Sequence, residues 1–433
     1  MKQALSGFGR LPTPDCDVRT WSPEVWSHWA SRGGIARGLG RAYGDSACLR
    51  QLTVETHDLA RIEQFDVMRG VLVAEGGISL FALLRAIVPQ GWFVHVTPGT
   101  QFVTLAGMIA ADVHGKNHHH VGSFAHCVDW IEILGASGEP ERISRDHDAE
   151  WFQWTCGGMG LTGLILRAQI RLLRISSPQI TQSAVVTSDL QSTMQCFESH
   201  ADAPYSVAWV DASARGAALG RSVVFVGAHQ EATDVPPQDW MAHRERPYDV
   251  PQIPVSLVNR WSTDLFNALY YRKQQGGHST VHWRHYFYPL DGLRNWNRVY
   301  GPRGFAQFQT VLPIDSAFTG IEVLLETVRA CGFASPVTVL KKMGAEAPGL
   351  SFPMPGYTLT LDLPNRPGLD ELMARLIDCA IDHGGRFYLA KDAHLSQVQF
   401  DRADPRAASF REFREVRGLN AVFVSEQSKR LGI

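Results

Sequence analysis

The 433-residue sequence is poor in cysteine, and its cysteines follow no pairing pattern. There are seven of them, an odd number, they are spread along the chain, and no two form a CxxC pair. This distribution argues against a disulfide framework and against a zinc site made of thiolates. It is typical of a protein from a reducing compartment.

Long apolar runs and an excess of one charge are also missing. No run approaches the roughly 20 apolar residues that cross a bilayer, and the first residues, MKQALSGFGRLPTPDCD, lack the apolar core of a signal peptide. Lys and Arg total 41 against 43 Asp and Glu, a net charge of −2, which makes a dedicated nucleic-acid binder implausible. We expect a cytoplasmic protein, with peripheral contact at the inner membrane face left open.

The composition and the pattern of apolar residues predict two or three domains of mixed α+β structure. Glycine turns separate short strands over residues 1–175, and the sequence pattern changes after that point. Polar or glycine-rich stretches at 229–254 and 273–280 predict mobile loops. Helices are predicted at 80–88, 255–271, 317–331 and 369–383. Strands are predicted at 52–56, 70–75, 94–96, 128–134, 164–173, 206–211, 222–227, 282–288, 304–312, 337–341, 357–363 and 386–390.

Three glycine-dense segments lie in the first 175 residues, at 37–46, 97–117 and 156–164. Glycine lets backbone N–H groups approach an anion closely, and consecutive amides form a nest for phosphate oxygens. None is a Walker A sequence, and GLGRAYG is not a dinucleotide fingerprint because its third glycine is displaced. One such loop most often makes a tight turn, whereas three together favour an anion-binding site.

Taken together, the segments resemble the flavin-binding domain of the vanillyl-alcohol oxidase superfamily. Within it, the chain is similar to the decaprenylphosphoryl-β-D-ribose 2-oxidase family, the FAD subunits of decaprenylphosphoryl-ribose epimerases. The matching motifs, in chain order, are GLGRAYGDS, PGTQFVTLAGMIAADVHGKNHHHVGSF, GGMGLTG, WNRVYGPRGFAQFQ, LSFPMPGY and GGRFYLAKD. HGKNHH and YLAKD are specific signatures, and the resemblance covers nearly the whole chain.

The resemblance implies a two-lobed α+β flavoprotein. Residues 1–175 would form the FAD-binding domain, 176–383 a substrate-binding domain with an antiparallel sheet, and 384–433 a segment that returns to the FAD domain. Many relatives attach FAD covalently through a histidine in the first glycine loop. This loop carries Tyr43 and no histidine, so the resemblance implies FAD held non-covalently.

The resemblance also implies two sets of binding residues. The cofactor set is Arg37, Gly38, Leu39, Gly40, Arg41, Ala42, Tyr43, Gly44, Asp45, Ser46, Gly99, Thr104, Leu105, Ala106, Gly107, Ala111, Asp112, Val113, His114, Ile165 and Tyr388. The substrate set is Trp209, Phe287, Gln307, Gln309, Lys341, Thr360 and Lys391. Thr360 stands where mycobacterial members carry cysteine, and Phe287 where a tyrosine is expected. Inhibitors that act through a thiol adduct at that position should therefore fail here.

The expected chemistry depends mainly on Lys391. The resemblance implies that this side chain points at the flavin. A hydride that arrives at flavin N5 leaves negative charge over N1 and the C2 carbonyl, and a buried ammonium stabilises that charge. A desolvated lysine also loses its proton readily, so Lys391 is a candidate acceptor for the substrate hydroxyl proton. His114 and Tyr43 are rival acceptors, and the sequence does not choose among the three catalytic candidates.

The implied reaction oxidises the 2-hydroxyl of a polyprenyl-phosphate-linked ribose to a ketone, in the synthesis of arabinose for a cell-wall or surface glycan. A separate short-chain NAD(P)H reductase would complete the epimerisation. An alditol or sugar-lactone oxidase on the same scaffold is an alternative, and so is a non-catalytic flavin-binding scaffold or sensor. The four histidines within 114–120 carry no metal signature, so no metal is expected. The aromatic and basic residues of 255–271 suit either a packed helix or a membrane surface.

Overall fold

The structure is a computed structural model that describes residues 2–231, 234–241 and 248–433. The loop predicted at 229–254 therefore lies partly outside the described residues. Within the described ranges the strands form four sheets, two of which are large.

The first sheet is small and mixed. Its strands, in spatial order β1-β2-β4-β3, are β1 (Lys2–Ala4), β2 (Asp15–Thr20), β3 (Ile35–Arg37) and β4 (Thr53–Glu55). Strand β4 runs parallel to both β2 and β3. Strand β3 lies at the edge of this sheet and ends at Arg37. The first glycine loop therefore begins at a sheet edge.

The second sheet has the spatial order β5-β6-β10-β8-β9, with β7 paired to β10. Its strands are β5 (Ile62–Asp66), β6 (Val71–Glu75), β7 (Trp92–Val94), β8 (Val128–Leu134), β9 (Pro140–Ser144) and β10 (Leu164–Arg174). The helices up to this point are α1 (Val25–Arg32), α2 (Leu80–Ile87), α3 (Leu105–Ala110), α4 (His118–Val121) and α5 (Ala149–Thr155). The described part of the first 175 residues thus mixes helices with mostly antiparallel strands.

Helix α2 shows why these segments fold as they do. Ser79 caps it by accepting a hydrogen bond from the Ala82 amide at 3.1 Å. Leu80, Leu83 and Ile87 recur at helical spacing and are fully buried. The sequence pattern alone therefore gives both the helix and the face that it buries.

The third sheet is antiparallel and has the order β15-β11-β13-β12-β18-β19-β17-β20. The remaining strands are β11 (Gln179–Thr187), β12 (Tyr205–Val210), β13 (Ser222–His229), β14 (Tyr248–Asp249), β15 (Gly277–His282), β16 (Leu293–Arg294), β17 (Phe305–Pro313), β18 (Thr338–Met343), β19 (Gly356–Pro364) and β20 (Arg386–Phe387). The two-residue strands β14 and β16 pair with each other. The remaining helices are α6 (Leu190–Ser199), α7 (Arg260–Lys273), α8 (Trp283–Phe287), α9 (Ile314–Ala330), α10 (Leu369–Asp382), α11 (Gln397–Ala403), α12 (Arg406–Val416) and α13 (Glu426–Leu431).

Strands β19 and β17 lie sixth and seventh in this third sheet, between β18 and β20, and almost all of their residues are buried on both faces. On one face Phe308 and Leu361 share a core with the apolar sides of α9 and α10. Side chains alternate along a strand, so Gln307 and Gln309 point to the face opposite Phe308. That second face is the one turned toward the glycine loops.

The last helices lie against the first residues of the chain. Trp29 Nε1 donates to the Val422 carbonyl at 2.8 Å, and the Glu426 amide donates to the Cys48 carbonyl at 2.8 Å. The two chain ends are therefore in contact, while the division into domains at 175 and 383 stays a prediction.

Three local expectations were wrong. Of the strand expected over 282–288, residues 283–287 form helix α8 instead, because Trp283, Tyr286 and Phe287 are buried at helical spacing. Of the loop expected over 273–280, residues 277–280 belong to strand β15, which pairs along β11. The strand expected over 386–390 stops at Phe387, because the chain then turns and the Lys391 amide donates to the Tyr388 carbonyl at 2.8 Å.

Helix α7 begins later than the expected 255–271. Asn259 caps it by accepting a hydrogen bond from the Ser262 amide at 3.1 Å, and Ser262 bonds back to the Asn259 amide. This reciprocal pair fixes the first turn at Arg260. Residues 255–259 therefore lead into the helix without being part of it.

Candidate active site

A cavity of about 870 Å³ lies between the glycine loops and the face of the third sheet that carries Gln307 and Gln309. It collects most of the residues that the sequence predicts for binding. Those that line it are Gly38, Leu39, Gly40, Arg41, Ala42, Tyr43, Ser46, Gly99, Thr104, Ala106, Gly107, Ala111, Val113, His114, Ile165, Trp209, Phe287, Gln307, Gln309, Lys341, Thr360, Tyr388 and Lys391.

Five predicted cofactor residues are not among the cavity lining: Arg37, Gly44, Asp45, Leu105 and Asp112. The Arg37 guanidinium donates to the Ser6 carbonyl at 2.7 Å and to the Ala47 carbonyl at 3.2 Å. Asp45 accepts from the Arg430 guanidinium at 2.7 Å. Arg37 and Asp45 therefore stabilise the conformation of the first glycine loop through contacts outside the cavity lining.

Asp112 is buried and occupied by protein partners. It accepts hydrogen bonds from the Ser123 hydroxyl at 2.6 Å and the Ala125 amide at 2.8 Å. It also accepts one from the Ser351 hydroxyl. Its backbone φ is +37°, so the residue forms a fixed corner that turns the chain toward His114.

The first glycine loop presents backbone donors to the cavity. Among the residues that the structure describes, the N–H groups of Leu39, Gly40 and Ala42 donate to no protein acceptor. Gly38 lies so close to the second loop that a Cβ there would be 2.4 Å from Thr104 Oγ1. Amides clustered in this way are suited to phosphate oxygens.

Lys391 enters the cavity from the turn that follows β20. Its Nζ lies 3.7 Å from the ring centroid of Tyr43, a cation–π contact. Burial lowers the pKa of Lys391, and the nearby Lys341 acts in the same direction, whereas Asp362 opposes both. At a given pH, a larger fraction of Lys391 is therefore in the neutral amine form than for a lysine in water.

Asp362 is a buried carboxylate that sequence reasoning missed. It lies on β19 opposite Gln307 of β17 and accepts a hydrogen bond from the Gln307 side chain. Burial raises the pKa of Asp362, while the positive charge of Lys391 lowers it. The available signal was a lone acidic residue inside the apolar strand GYTLTLDLP.

His114 is held between two polar side chains of the third sheet. Its Nδ1 accepts from Lys341 Nζ at 3.2 Å, and its Nε2 lies 3.1 Å from the amide nitrogen of Gln309. Burial and the neighbouring Lys341 lower the pKa of His114 well below its ordinary value. The imidazole is therefore neutral at physiological pH.

Lys116 lines the cavity and is a second residue that sequence reasoning did not single out. Its Nζ donates to the Tyr286 carbonyl and lies 4.0 Å from the Tyr286 ring centroid. Burial lowers the pKa of Lys116 to about 7 and the pKa of Lys341 to about 8. With Lys391, three lysines line one cavity and favour an anionic ligand. The signal was the lysine of HGKN.

Aromatic residues form another side of the cavity. The Trp209 indole donates to the Pro336 carbonyl at 3.2 Å, and the Tyr270 ring packs edge-on against Trp209 with centroids 4.6 Å apart. Phe266 stacks on Tyr270 at 5.9 Å. Both Phe266 and Tyr270 belong to α7, so this helix forms part of the wall.

Comparisons with known proteins show the family to which this chain belongs. Residues 26–144 match the family described as the FAD binding domain. Over 99% of its length the chain is 34% identical to the decaprenylphosphoryl-β-D-ribose oxidase of Mycolicibacterium smegmatis, of which it covers 97%. The chain belongs to the decaprenylphosphoryl-β-D-ribose oxidase family. The family membership that the motifs implied is confirmed, as is the α+β flavoprotein class.

Other relatives outline the wider group around the decaprenylphosphoryl-ribose oxidase family. An uncharacterized protein of Streptomyces coelicolor is 33% identical over 82% of this chain and 100% of its own length. Cytokinin dehydrogenase 7 of Oryza sativa subsp. japonica is 31% identical over 40% of this chain and 36% of its own. The chain is an FAD-dependent oxidoreductase, and FAD is its cofactor.

The cavity fits this cofactor. The unpaired amides of Leu39, Gly40 and Ala42 suit a pyrophosphate, and the matched range 26–144 includes them. At Gly99 an added Cβ would meet no protein atom within 4 Å, so the second glycine segment also faces open space.

None of the helices in the described ranges is long and apolar enough to span a membrane.

Proposed function

We propose that this protein oxidises the 2-hydroxyl of a polyprenyl-phosphate-linked ribose to the 2-ketone, the first half of an epimerisation to arabinose. One observation carries the proposal: a single cavity combines a backbone cradle for FAD, three lysines and an apolar aromatic wall. The lysines suit a phosphate group, and the aromatic wall suits an isoprenoid. A soluble alditol would use neither feature, so the alditol oxidase alternative is disfavoured.

In this proposal Lys391 accepts the hydroxyl proton. When bound, FAD would supply the acceptor for the hydride of sugar C2, which carries two electrons and one proton. The remaining proton moves from the hydroxyl oxygen to Lys391 Nζ, whose lowered pKa keeps the amine available. The resulting ammonium is stabilised by the Tyr43 ring and by Asp362, and it stabilises negative charge on the reduced cofactor.

Tyr43 and His114 take other parts in the proposed reaction. Burial raises the pKa of Tyr43, so its phenol stays protonated and is a poor base. The neutral His114 contacts Lys341 and Gln309 through its two ring nitrogens, so in this proposal it positions those two side chains for the substrate. Lys116 and Lys341 pair with the substrate phosphate.

Three further elements belong to the same proposal. FAD is held without a covalent bond, because the first loop carries Tyr43 and no histidine. A separate short-chain NAD(P)H reductase consumes the ketone. The face around the cavity mouth makes peripheral contact with a membrane, since the substrate is a lipid.

The deciding experiment is anaerobic mixing of the holoprotein with prenyl-phosphoryl-ribose. We expect the flavin to bleach and the lipid product to lose two hydrogens by mass spectrometry. Free alditols are the comparison, and they should bleach the flavin far more slowly. Bleaching by alditols alone, with the phospholipid unchanged, would disprove the proposed function.

A further inference from the structure

Helix α7 displays an unusual amount of apolar side chain to solvent. Trp261 is 84% exposed, Leu265 62%, Leu269 57% and Phe266 49%. All four lie within Arg260–Lys273. A surface helix normally turns such residues inward, so this one has its apolar face on the outside.

The exposed residues form a stripe that starts at the cavity. Successive residues of a helix are rotated by about 100°, which places Leu269 beside the cavity-lining pair Phe266 and Tyr270, and Leu265 and then Trp261 progressively further round the helix. The buried residues, such as Asn267, lie on the opposite side. Trp261 is eight positions from Leu269, roughly 12 Å along the axis at about 1.5 Å per residue.

The interior of the cavity and the stripe differ sharply in polarity. Inside are Lys116, Lys341 and Lys391, which suit a phosphate. The lining next to α7 includes the apolar residue Leu293, which is 43% exposed, beside the polar residues Arg294 and Asn295. A ligand with an anionic head in the cavity and an apolar chain would therefore leave along α7.

We propose that the stripe Trp261, Leu265, Phe266 and Leu269 binds the isoprenoid chain of the substrate and sets the chain length that the enzyme prefers. This inference rests on the proposed function and deepens it. The chain buries apolar surface that is otherwise in water, first at Leu269 and last at Trp261. The sugar-phosphate head is held independently by the lysines.

The test compares chain-length series in variants along the stripe. Soluble substrates with one, two, four and more isoprene units are assayed with Leu269→Gln, Trp261→Gln and the control Val416→Gln. Val416 is an exposed apolar residue of α12 and does not line the cavity. We expect Leu269→Gln to raise KM about tenfold for all but the shortest chain, with kcat unchanged, because only uniform binding is lost.

Trp261→Gln should raise KM only for the longer chains, because they alone reach the far end of the stripe. An equal change at every chain length, or no change at any, would overturn the inference. Loss of vesicle binding by these variants with unaltered chain-length dependence would also overturn it, because the stripe would then contact the bilayer instead. If the wild-type protein forms no ketone from any ribosyl lipid, the proposed function itself fails. If it forms the ketone but KM does not depend on the length of the isoprenoid chain, only this inference fails.

Discussion

At the scale of single residues, the proposed chemistry depends most on Lys391. Replacing it with methionine keeps much of the volume but removes the proton acceptor and the positive charge. We expect the anaerobic rate of flavin reduction to fall by about 10²- to 10⁴-fold, the usual worth of a general base. The bound FAD should be unchanged, because the backbone donors that suit it lie on the first loop.

Lys342→Met is the matched control for that measurement. Lys342 follows Lys341 in the chain, but its Nζ pairs with the Glu198 carboxylate at 2.5 Å, outside the cavity. Its reduction rate should equal that of the wild type. A Lys391→Met protein that reduces flavin at full rate would rule out the role assigned to Lys391.

Asp362 acts through Lys391, and its removal should move a pH profile. The carboxylate raises the pKa of Lys391, so Asp362→Asn lowers that pKa further. A base must be neutral, so kcat/KM rises with pH through the pKa of Lys391, and the variant's rising limb shifts to lower pH. Asp378→Asn, at an exposed site, is the control. A slower enzyme with an unmoved limb would mean that Asp362 has only a structural role.

Thr360 provides a test of the thiol expectation from the sequence. Thr360 lines the cavity, whereas none of the cavity's described lining residues is a cysteine. A thiol-directed compound that enters the cavity should leave no adduct at residue 360 of the wild-type protein. The Thr360→Cys variant should gain a single adduct at that position, as read by mass spectrometry of the intact chain and its peptides. An adduct on wild-type protein at residue 360 would contradict this expectation.

At the scale of elements, sequence reasoning succeeded where one periodicity dominates. Helix α2 and strand β8 were predicted almost to the residue because their buried positions repeat without conflict. Helix α8 was missed because Trp283–Phe287 is rich in aromatic residues, which also favour strands, and only tertiary packing selects the helix. Asp362 was missed because its significance comes from Gln307 and Lys391, which are distant in sequence.

The first two glycine loops pack closely against each other at Gly38 and Thr104. Adding the methyl group of an alanine at position 38 should disturb this packing. At Gly38 a Cβ would lie 2.4 Å from Thr104 Oγ1, and Thr104 caps α3. We expect Gly38→Ala to shift the loop and to weaken FAD binding by about tenfold or more, corresponding to about 1.4 kcal/mol. Gly292→Ala is the control, because a Cβ there meets nothing within 4 Å. Equal FAD content in the two purified variants after dilution would contradict the expected close packing.

At the scale of the whole molecule, Arg430 joins the two ends of the chain. Its guanidinium pairs with Asp45 of the first glycine loop at 2.7 Å and with Asp392, next to Lys391, at 3.0 Å. Both carboxylates are buried. Arg430→Gln would leave them without a positive partner, and removing one member of a buried pair costs about 3–5 kcal/mol. We therefore expect a lower Tm in the apoprotein and a smaller rise in Tm on adding FAD, because the loop that suits the cofactor is no longer fixed.

Two further variants separate this effect from a general loss of charge at the C-terminus. Lys429→Gln changes the neighbouring residue, whose Nζ donates to the Gln51 side chain at 2.9 Å on the surface, and should leave Tm unchanged. Asp45→Asn combined with Arg430→Gln removes one of the unpaired charges and should recover part of the lost Tm. If Arg430→Gln instead melts and binds FAD like the wild type, the ion pairs of Arg430 do not contribute to holding the two chain ends together.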